Sequence, residues 1–150
     1  MKFPDAYPFL EQNKFQFEGC SIVPIRYEDR VSIMKWRNEQ IYHLRQRELL
    51  TEKKQEAYYN DVIAKLFEQE KPDQILFSYL EGEKCIGYGG LVHINWADKN
   101  AEISFIMDTK LEKNDFYRYW RIYLELIEKV AFIELDLHKI YIRFTLTPLI

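Results

Sequence analysis

The stretch from Gln74 to Met107 constrains the fold more than any other part of the chain. It divides into three strand-like runs, Gln74–Leu80, Lys84–Ile94 and Ala101–Met107. Two short turns separate these runs, Glu81–Glu83 and Ala97–Asn100. Turns this short join neighbouring strands that run in opposite directions, so the sequence predicts a three-stranded antiparallel meander.

A long helical pattern and one more strand follow the meander. From Asn114 to Leu135, apolar residues recur at three- and four-residue spacing, which indicates a helix with one face on a sheet. The next run, Lys139–Phe144, is strand-like. Because a helix lies between two strands, the connection is a crossover, and the last strand is predicted to run parallel to Ala101–Met107.

The first half of the chain predicts one strand and two helices. The strand is Cys20–Ile25, and Pro24 indicates a strand end or an edge. The first helix is Glu28–Asn38, and Thr51 is a good N-cap for a second helix that ends near Glu68. The buried residues of this second helix are predicted to be Tyr58, Val62 and Leu66, with Tyr59 as a further candidate.

The predicted order of elements is therefore β-α-α-β-β-β-α-β. This is an α+β fold, or a three-layer α/β arrangement, whose mixed and mostly antiparallel sheet is flanked by helices. Residues 1–150 are expected to form a single domain, because a chain of 150 residues with 47% apolar content can bury a real core. Residues 1–19 are aromatic but aperiodic and are expected to form an N-terminal arm on that domain.

Composition narrows the possible functions. A net charge of -3 gives no support to nucleic-acid binding. No apolar stretch approaches the ~20 residues of a membrane span, and the N-terminus lacks a signal-peptide core, so a cytoplasmic protein is expected. The isolated Cys20 and Cys85 are expected to be reduced core residues. The sequence has no cluster of His and Cys residues, so a metal site is not expected.

Several short phrases, in their order and spacing, resemble the GCN5-related N-acetyltransferase (GNAT) superfamily over roughly residues 20–144. They are Ile25-Arg26 with Glu28-Asp29 leading to Trp36-Arg37-Asn38, then Cys85–Leu91, Ala101–Ser104 and Ala131–Ile140. The likeness is greatest to the subgroup of ribosomal-protein and amino-sugar N-acetyltransferases. It implies direct transfer of an acetyl group from acetyl-CoA to a primary amine, on an amino sugar or a protein N-terminus, without a metal.

The resemblance also implies where acetyl-CoA binds. The strands Ala101–Met107 and Lys139–Phe144 should part, and the pantetheine arm should lie between them against the backbone of Phe105, Ile106, Met107 and Asp108. The pyrophosphate should rest at the start of the following helix, where Arg118 and Tyr119 are the cofactor-binding candidates. Free N–H groups at a helix start attract phosphate.

The chain departs from the family pattern at that helix. The last glycine is Gly90, so the expected Gly-rich loop near Asp115–Trp120 has none. Asp115 would compete with a phosphate for the positive helix end, although Lys110, Lys113 and Arg118 could compensate. Alternatively, Asn114 and Asp115 simply cap a structural helix. The sequence also stops before the family's final helix and strand, so we expect a shortened family member that arose by truncation.

Glu102 is the candidate general base, since related enzymes place a carboxylate at the start of this strand; the alternative is an exposed strand carboxylate. The substrate-binding candidates are Trp36, Arg37, Asn38 and His93. Packing of Trp36 and capping by Asn38 would explain the first three residues nearly as well, and His93 is alternatively a solvent-facing or satisfied core histidine. Further candidates for an anionic acceptor or for the pocket wall are His43, Arg45, Arg47, Tyr88 and Trp96.

Two further expectations remain. The missing loop glycines leave open a non-catalytic or vestigial binding module with the same fold. The last strand, Lys139–Phe144, is expected at an unpaired edge, which favours a homodimer or a strand exchange there.

Overall fold

The computed structural model describes residues 2–44 and 46–143, and it contains one six-stranded sheet. The strands follow chain order across the sheet: β1 Phe15–Phe17, β2 Cys20–Pro24, β3 Ile75–Glu81, β4 Lys84–Asn95, β5 Asn100–Met107 and β6 Lys139–Tyr141. Neighbours from β1 to β5 are antiparallel, whereas β5 and β6 are parallel. The predicted meander, crossover and α+β class are therefore confirmed. Arg45 and Phe144 lie outside the described residues.

The helices cover both faces of this sheet. They are α1 Arg30–Glu39, α2 Glu52–Tyr58, α3 Ala64–Leu66 and α4 Thr109–Glu128. A 3-10 turn, Tyr27–Asp29, precedes α1, and a π-helical turn, Tyr59–Ile63, joins α2 to α3. The Thr51 hydroxyl accepts a hydrogen bond from the Lys54 N–H at 3.1 Å, as expected of an N-cap. Within the described ranges, no helix combines the length and apolarity that a bilayer crossing requires.

The buried face of the second helical region differs from the prediction. Tyr59, Ile63 and Leu66 are buried, whereas Tyr58 is 42% exposed and Val62 is 38% exposed. The buried positions continue from Gln55, whose side chain donates to the Arg30 carbonyl and fixes which face meets α1. The predicted apolar stripe was therefore wrong at Tyr58 and Val62.

The N-terminal segment is part of the core. β1 pairs with β2, and the buried Tyr7 ring stacks on Phe67 with centroids 4.1 Å apart. The Tyr7 hydroxyl donates to the Leu76 carbonyl at 2.8 Å and accepts from the Leu76 N–H at 3.0 Å. These contacts fix the N-terminal segment against β3. An arm that only lay on the surface would lack such buried contacts.

α4 begins earlier than the sequence predicted. Its first residue is Thr109 instead of Asn114, because the Asp108 carboxylate caps the Lys110 N–H at 2.9 Å. Asp115 interrupts the helix with φ -154° and ψ 41°. The buried residues of α4 all follow this kink: Tyr119, Ile122, Tyr123, Leu126 and Ile127.

Two glycines of β4 permit close packing against neighbouring elements. A Cβ on Gly89 would lie 2.0 Å from the Ser104 carbonyl oxygen and 2.6 Å from the Tyr123 hydroxyl. Gly90 has φ +149° and would place a Cβ 1.9 Å from the Ile75 carbonyl oxygen. Glycine therefore permits the close approach of neighbouring groups at these two positions.

Candidate functional site

A cleft opens where β5 and β6 part. The parallel pairing joins Asn100 with Lys139, Ala101 with Ile140 and Glu102 with Tyr141, and then it ends. Within the described residues, positions 103–107 of β5 have no strand partner on this side. A cavity of about 950 Å³ runs along this edge, which is within the range of small-molecule sites.

Aromatic side chains form one wall of the cleft. The ring of Phe105 lies 5.2 Å from that of Trp120, and Phe116 stacks on Trp120 at 6.2 Å. Phe116 is 43% exposed although it is a large apolar residue. These three residues line the cavity, so an apolar surface borders the unpaired edge of β5.

Glu102 lies at the point where the two strands part. It is only 9% exposed, and its Oε1 is 3.6 Å from the Arg143 Nε. A buried carboxylate requires such a partner, because desolvation of the charge is costly. The burial of this side chain differs from the alternative expectation, in which Glu102 is an exposed strand carboxylate.

Arg37 extends from α1 into the same cavity. Its Nη1 donates to the Tyr88 hydroxyl, and its Nε donates to Gln46 Oε1 at 3.1 Å. Among the residues that the structure describes, no carboxylate forms an ion pair with Arg37. Burial raises the pKa of Tyr88, and the neighbouring Arg37 opposes this shift.

Tyr59 contributes a second buried phenol to the cavity lining. The residue is 1% exposed, and its hydroxyl has no hydrogen-bond partner in the described part of the chain. Burial raises its pKa, and the nearby Tyr88 raises it further. Both phenols therefore remain protonated at neutral pH.

The structure brings six of the predicted site residues to the cavity: Arg37, His93, Glu102, Phe105, Ile106 and Met107. His93 is exposed and has φ +49°, where the register of β4 against β5 shifts. The Met107 carbonyl accepts from Gln40 Nε2 at 2.8 Å. Tyr88, predicted as a pocket aromatic, also lines the cavity.

Other predicted site residues have different surroundings. Trp36 is in the core. Asn38 Oδ1 accepts from the Leu50 N–H at 2.8 Å and thereby holds the loop after α1. The Tyr119 hydroxyl donates to Glu81 Oε1 at 2.9 Å, and Arg118 Nη2 is 3.6 Å from Glu81 Oε2, so both contact the end of β3.

The start of α4 bears on phosphate binding. The Asp108 carboxylate occupies the positive end of the helix, as its cap on Lys110 shows. Lys110 and Lys113 are exposed on this first part of α4. Two further candidates lie outside the cavity lining: the Trp96 Nε1 donates to the Pro72 carbonyl at 2.8 Å, and Arg47 is exposed.

Sequence reasoning missed Gln40 as a cavity residue and did not identify the unpaired Tyr59 hydroxyl. Gln40 follows Arg37 by three residues, which places both on one helix face, so this spacing was an available signal. No comparable signal marked Tyr59, because its orientation depends on the π-helical turn. No group of three or more potential metal ligands occurs among the described residues.

Comparison with known proteins agrees with this fold. The sequence profile of the acetyltransferase (GNAT) domain matches residues 22–147. Spermidine N-acetyltransferase from Vibrio cholerae, in complex with CoA and spermine, superposes with a TM-score of 0.68 at 20% identity, covering 83% of this chain and 70% of that one. Its dodecameric structure in an intermediate state gives a TM-score of 0.62 at 20% identity, covering 83% and 68%. No curated protein sequence matches the chain.

Proposed function

The chain belongs to the GNAT acetyltransferase family, and on this premise we propose that it transfers an acetyl group from acetyl-CoA to a primary amine. The observation that carries the proposal is the cleft along the unpaired edge of β5, with Glu102 where the strands part. An open strand edge offers backbone groups to an extended ligand, and the adjacent carboxylate offers a proton acceptor.

The pantetheine arm of acetyl-CoA fits the edge of β5. Its amides would pair with free backbone groups of residues 103–106, as an added strand would. Phe105, Phe116 and Trp120 would cover its apolar carbons and exclude water. The Met107 carbonyl already accepts from Gln40, so the contacts are proposed for the backbone before it.

The phosphates of acetyl-CoA require a different contact. Asp108 caps α4 and places a carboxylate at the helix end that would otherwise attract an anion. We therefore assign the phosphates to Lys110 and Lys113. The capped helix start is also the observation that favours the second candidate function, a non-catalytic binding module.

In the proposed reaction, the amine nitrogen attacks the carbonyl carbon of the thioester. The nitrogen–carbon bond forms, the carbon–sulfur bond breaks, and the thiolate leaves with CoA. Glu102 accepts the amine proton directly or through one water. Backbone N–H groups of β5 polarise the thioester carbonyl and stabilise the oxyanion.

The acceptor amine is proposed to enter from the side of α1 and α2. His93 would contact it at the cavity wall, while Trp36 and Asn38 would shape the wall through packing and through the loop after α1. The acceptor classes expected from sequence are an amino sugar and a protein N-terminus. The V. cholerae relatives, whose acceptor is spermidine, add polyamines as a third class.

Assembly through the outer edge of β6 is also proposed. Among the residues that the structure describes, β6 is the last strand of the sheet, and its outer edge can pair with a second copy. Light scattering at high protein concentration should give a dimer mass, and a monomer would contradict this proposal.

Glu102→Gln tests the enzymatic proposal. Loss of the proton acceptor should lower kcat by about 10²- to 10⁴-fold, the usual contribution of general base catalysis. Acetyl-CoA affinity, measured by isothermal titration calorimetry, should stay unchanged. Glu112→Gln is the matched control, because Glu112 lines the same cavity away from the junction of β5 and β6.

Two results would contradict parts of this proposal. Absence of acetyl-CoA binding at millimolar ligand would exclude the acetyltransferase function. Tight binding without release of CoA on any amine would support the non-catalytic module instead.

A further inference from the structure

We infer that the acceptor carries an oxyanion, a carboxylate or a phosphate, in addition to its amine, and that Arg37, Tyr88 and Tyr59 bind this group. The inference rests on the proposed function, since it specifies the acceptor of the same cleft. It assigns two roles within one cavity: a carboxylate that receives the amine proton and a group of donors that binds an anion.

Arg37 provides the charge. Within the described residues it has no ion-pair partner, although it lines a cavity where an uncompensated charge is unfavourable. Its hydrogen bonds to Tyr88 and Gln46 use only part of its five N–H donors. Gln46 is itself held by Asn38 Oδ1 at 3.0 Å, so the guanidinium is positioned before any ligand arrives.

The two phenols provide further donors. The Tyr88 oxygen accepts from Arg37, so its own O–H remains available to donate. The Tyr59 hydroxyl is buried and unpaired, which is costly unless a ligand or water satisfies it. Because burial raises the pKa of both phenols, they meet a ligand as donors. A guanidinium with two hydroxyl donors is suited to carboxylate or phosphate.

The other charges of the cleft fit a two-ended acceptor. Acidic residues line the cavity on other elements: Asp73 lies before β3, Glu112 lies on α4, and Glu102 lies at the junction of β5 and β6. Tyr88 is opposite Ile106, and Val92 is opposite Glu102. The anion site and the base are thus four positions apart along β5, about 13 Å at 3.3 Å per residue. A polyamine would instead bring positive charge towards Arg37.

Matched amines test the inference by isothermal titration calorimetry on the full chain. The carboxylate pair is 6-aminohexanoate and hexylamine, the phosphate pair is glucosamine 6-phosphate and glucosamine, and spermidine represents polyamines. At least one anionic member should bind ten or more times tighter than its neutral partner and than spermidine. The stronger pair identifies the oxyanion.

Two variants show whether the named residues are responsible. Arg37→Gln should abolish the preference for the anionic member while acetyl-CoA affinity is retained. Tyr59→Phe should weaken the anionic member about two- to tenfold and leave the melting temperature unchanged or higher, because the hydroxyl has no partner to lose. Tyr59→Phe therefore gives an answer even if Arg37→Gln does not fold.

Several outcomes would overturn the inference. The first is binding of spermidine or a neutral amine that is as tight as, or tighter than, binding of the anionic members. The second is no binding of any probe. The third is an unchanged preference for the anionic member in Arg37→Gln or Tyr59→Phe. A parallel loss of acetyl-CoA affinity in Arg37→Gln would mean that Arg37 serves the donor phosphates. Acetyl-CoA is titrated separately into the wild type, so failure of the proposed function is distinguished from failure of the oxyanion site.

Discussion

Gly89→Ala offers a sharp test of how the core supports the cleft. Real Cβ atoms essentially never approach other heavy atoms closer than 3.0 Å, whereas this one would lie 2.0 Å from the Ser104 carbonyl oxygen. β4 and β5 must therefore separate by about 1 Å at this point. The added methyl group would also displace the Tyr123 hydroxyl, which now donates to the Ser104 carbonyl at 2.7 Å.

The expected loss of stability combines two effects. Overpacking of a close contact costs about 1–3 kcal/mol, and the lost hydrogen bond costs about 1 kcal/mol. The free energy of unfolding should therefore fall by about 2–4 kcal/mol, which lowers Tm by roughly 5–15 °C in a chain of this size. Ser104 lines the cleft, so acetyl-CoA affinity should fall as well.

Urea unfolding of Gly89→Ala and a matched glycine variant measures this effect. Gly82→Ala is the control, because Gly82 has φ +61° with no atom within 4 Å of the added carbon. Its cost is limited to backbone strain of about 1–2 kcal/mol. Tyr123→Phe in the Gly89→Ala background should recover part of the loss. A smaller loss in Gly89→Ala than in Gly82→Ala would refute the packing argument.

Two other perturbations follow from the described contacts. Lys110→Gln combined with Lys113→Gln should raise the Kd of acetyl-CoA about two- to thirtyfold at low salt, since exposed charge contacts contribute up to ~1 kcal/mol each. The affinity for S-acetylpantetheine should be unaffected, and Lys129→Gln is the control. An equal loss of affinity for both ligands would contradict the assignment. Alkaline pH should destabilise the fold, because burial raises the pKa of Cys85 from 9.0 to about 12 and raises the pKa values of Tyr7, Tyr59, Tyr79 and Tyr123 above 10.0. These groups bind protons more tightly when folded, so their contribution is complete below about pH 9 and is lost as pH rises. Urea unfolding at pH 7.5 and 10.5 measures this loss of stability, and equal stability at the two pH values would contradict the burial of these groups.

The order of elements could be predicted because it depends on local features. Short turns near Gly82 and Asn100 determine antiparallel pairing, and the helix before Lys139 requires a crossover. The Thr51 cap is equally local, since its hydroxyl bonds to an N–H three residues later. Such features need no knowledge of distant contacts.

The site was only partly predictable because it depends on distant contacts. Arg37 was recognised within a family-like phrase, but the finding that no described carboxylate pairs with it becomes visible only when all neighbouring elements are placed. Arg118 and Tyr119 were assigned to the cofactor on the assumption that the helix begins near Asn114. Asp108 starts the helix earlier, and both side chains contact Glu81, a residue that sequence reasoning did not connect with them.

The kink at Asp115 divides α4 into two parts with separate tasks. None of the residues from Thr109 to Asn114 is buried, whereas the later turns hold five core residues. Substitutions in the first part therefore remove less core packing than substitutions in the second part, which keeps the helix anchored on the sheet. Tolerance to substitution thus changes within one helix, and Phe116, which follows the kink, is the first α4 residue in the aromatic wall.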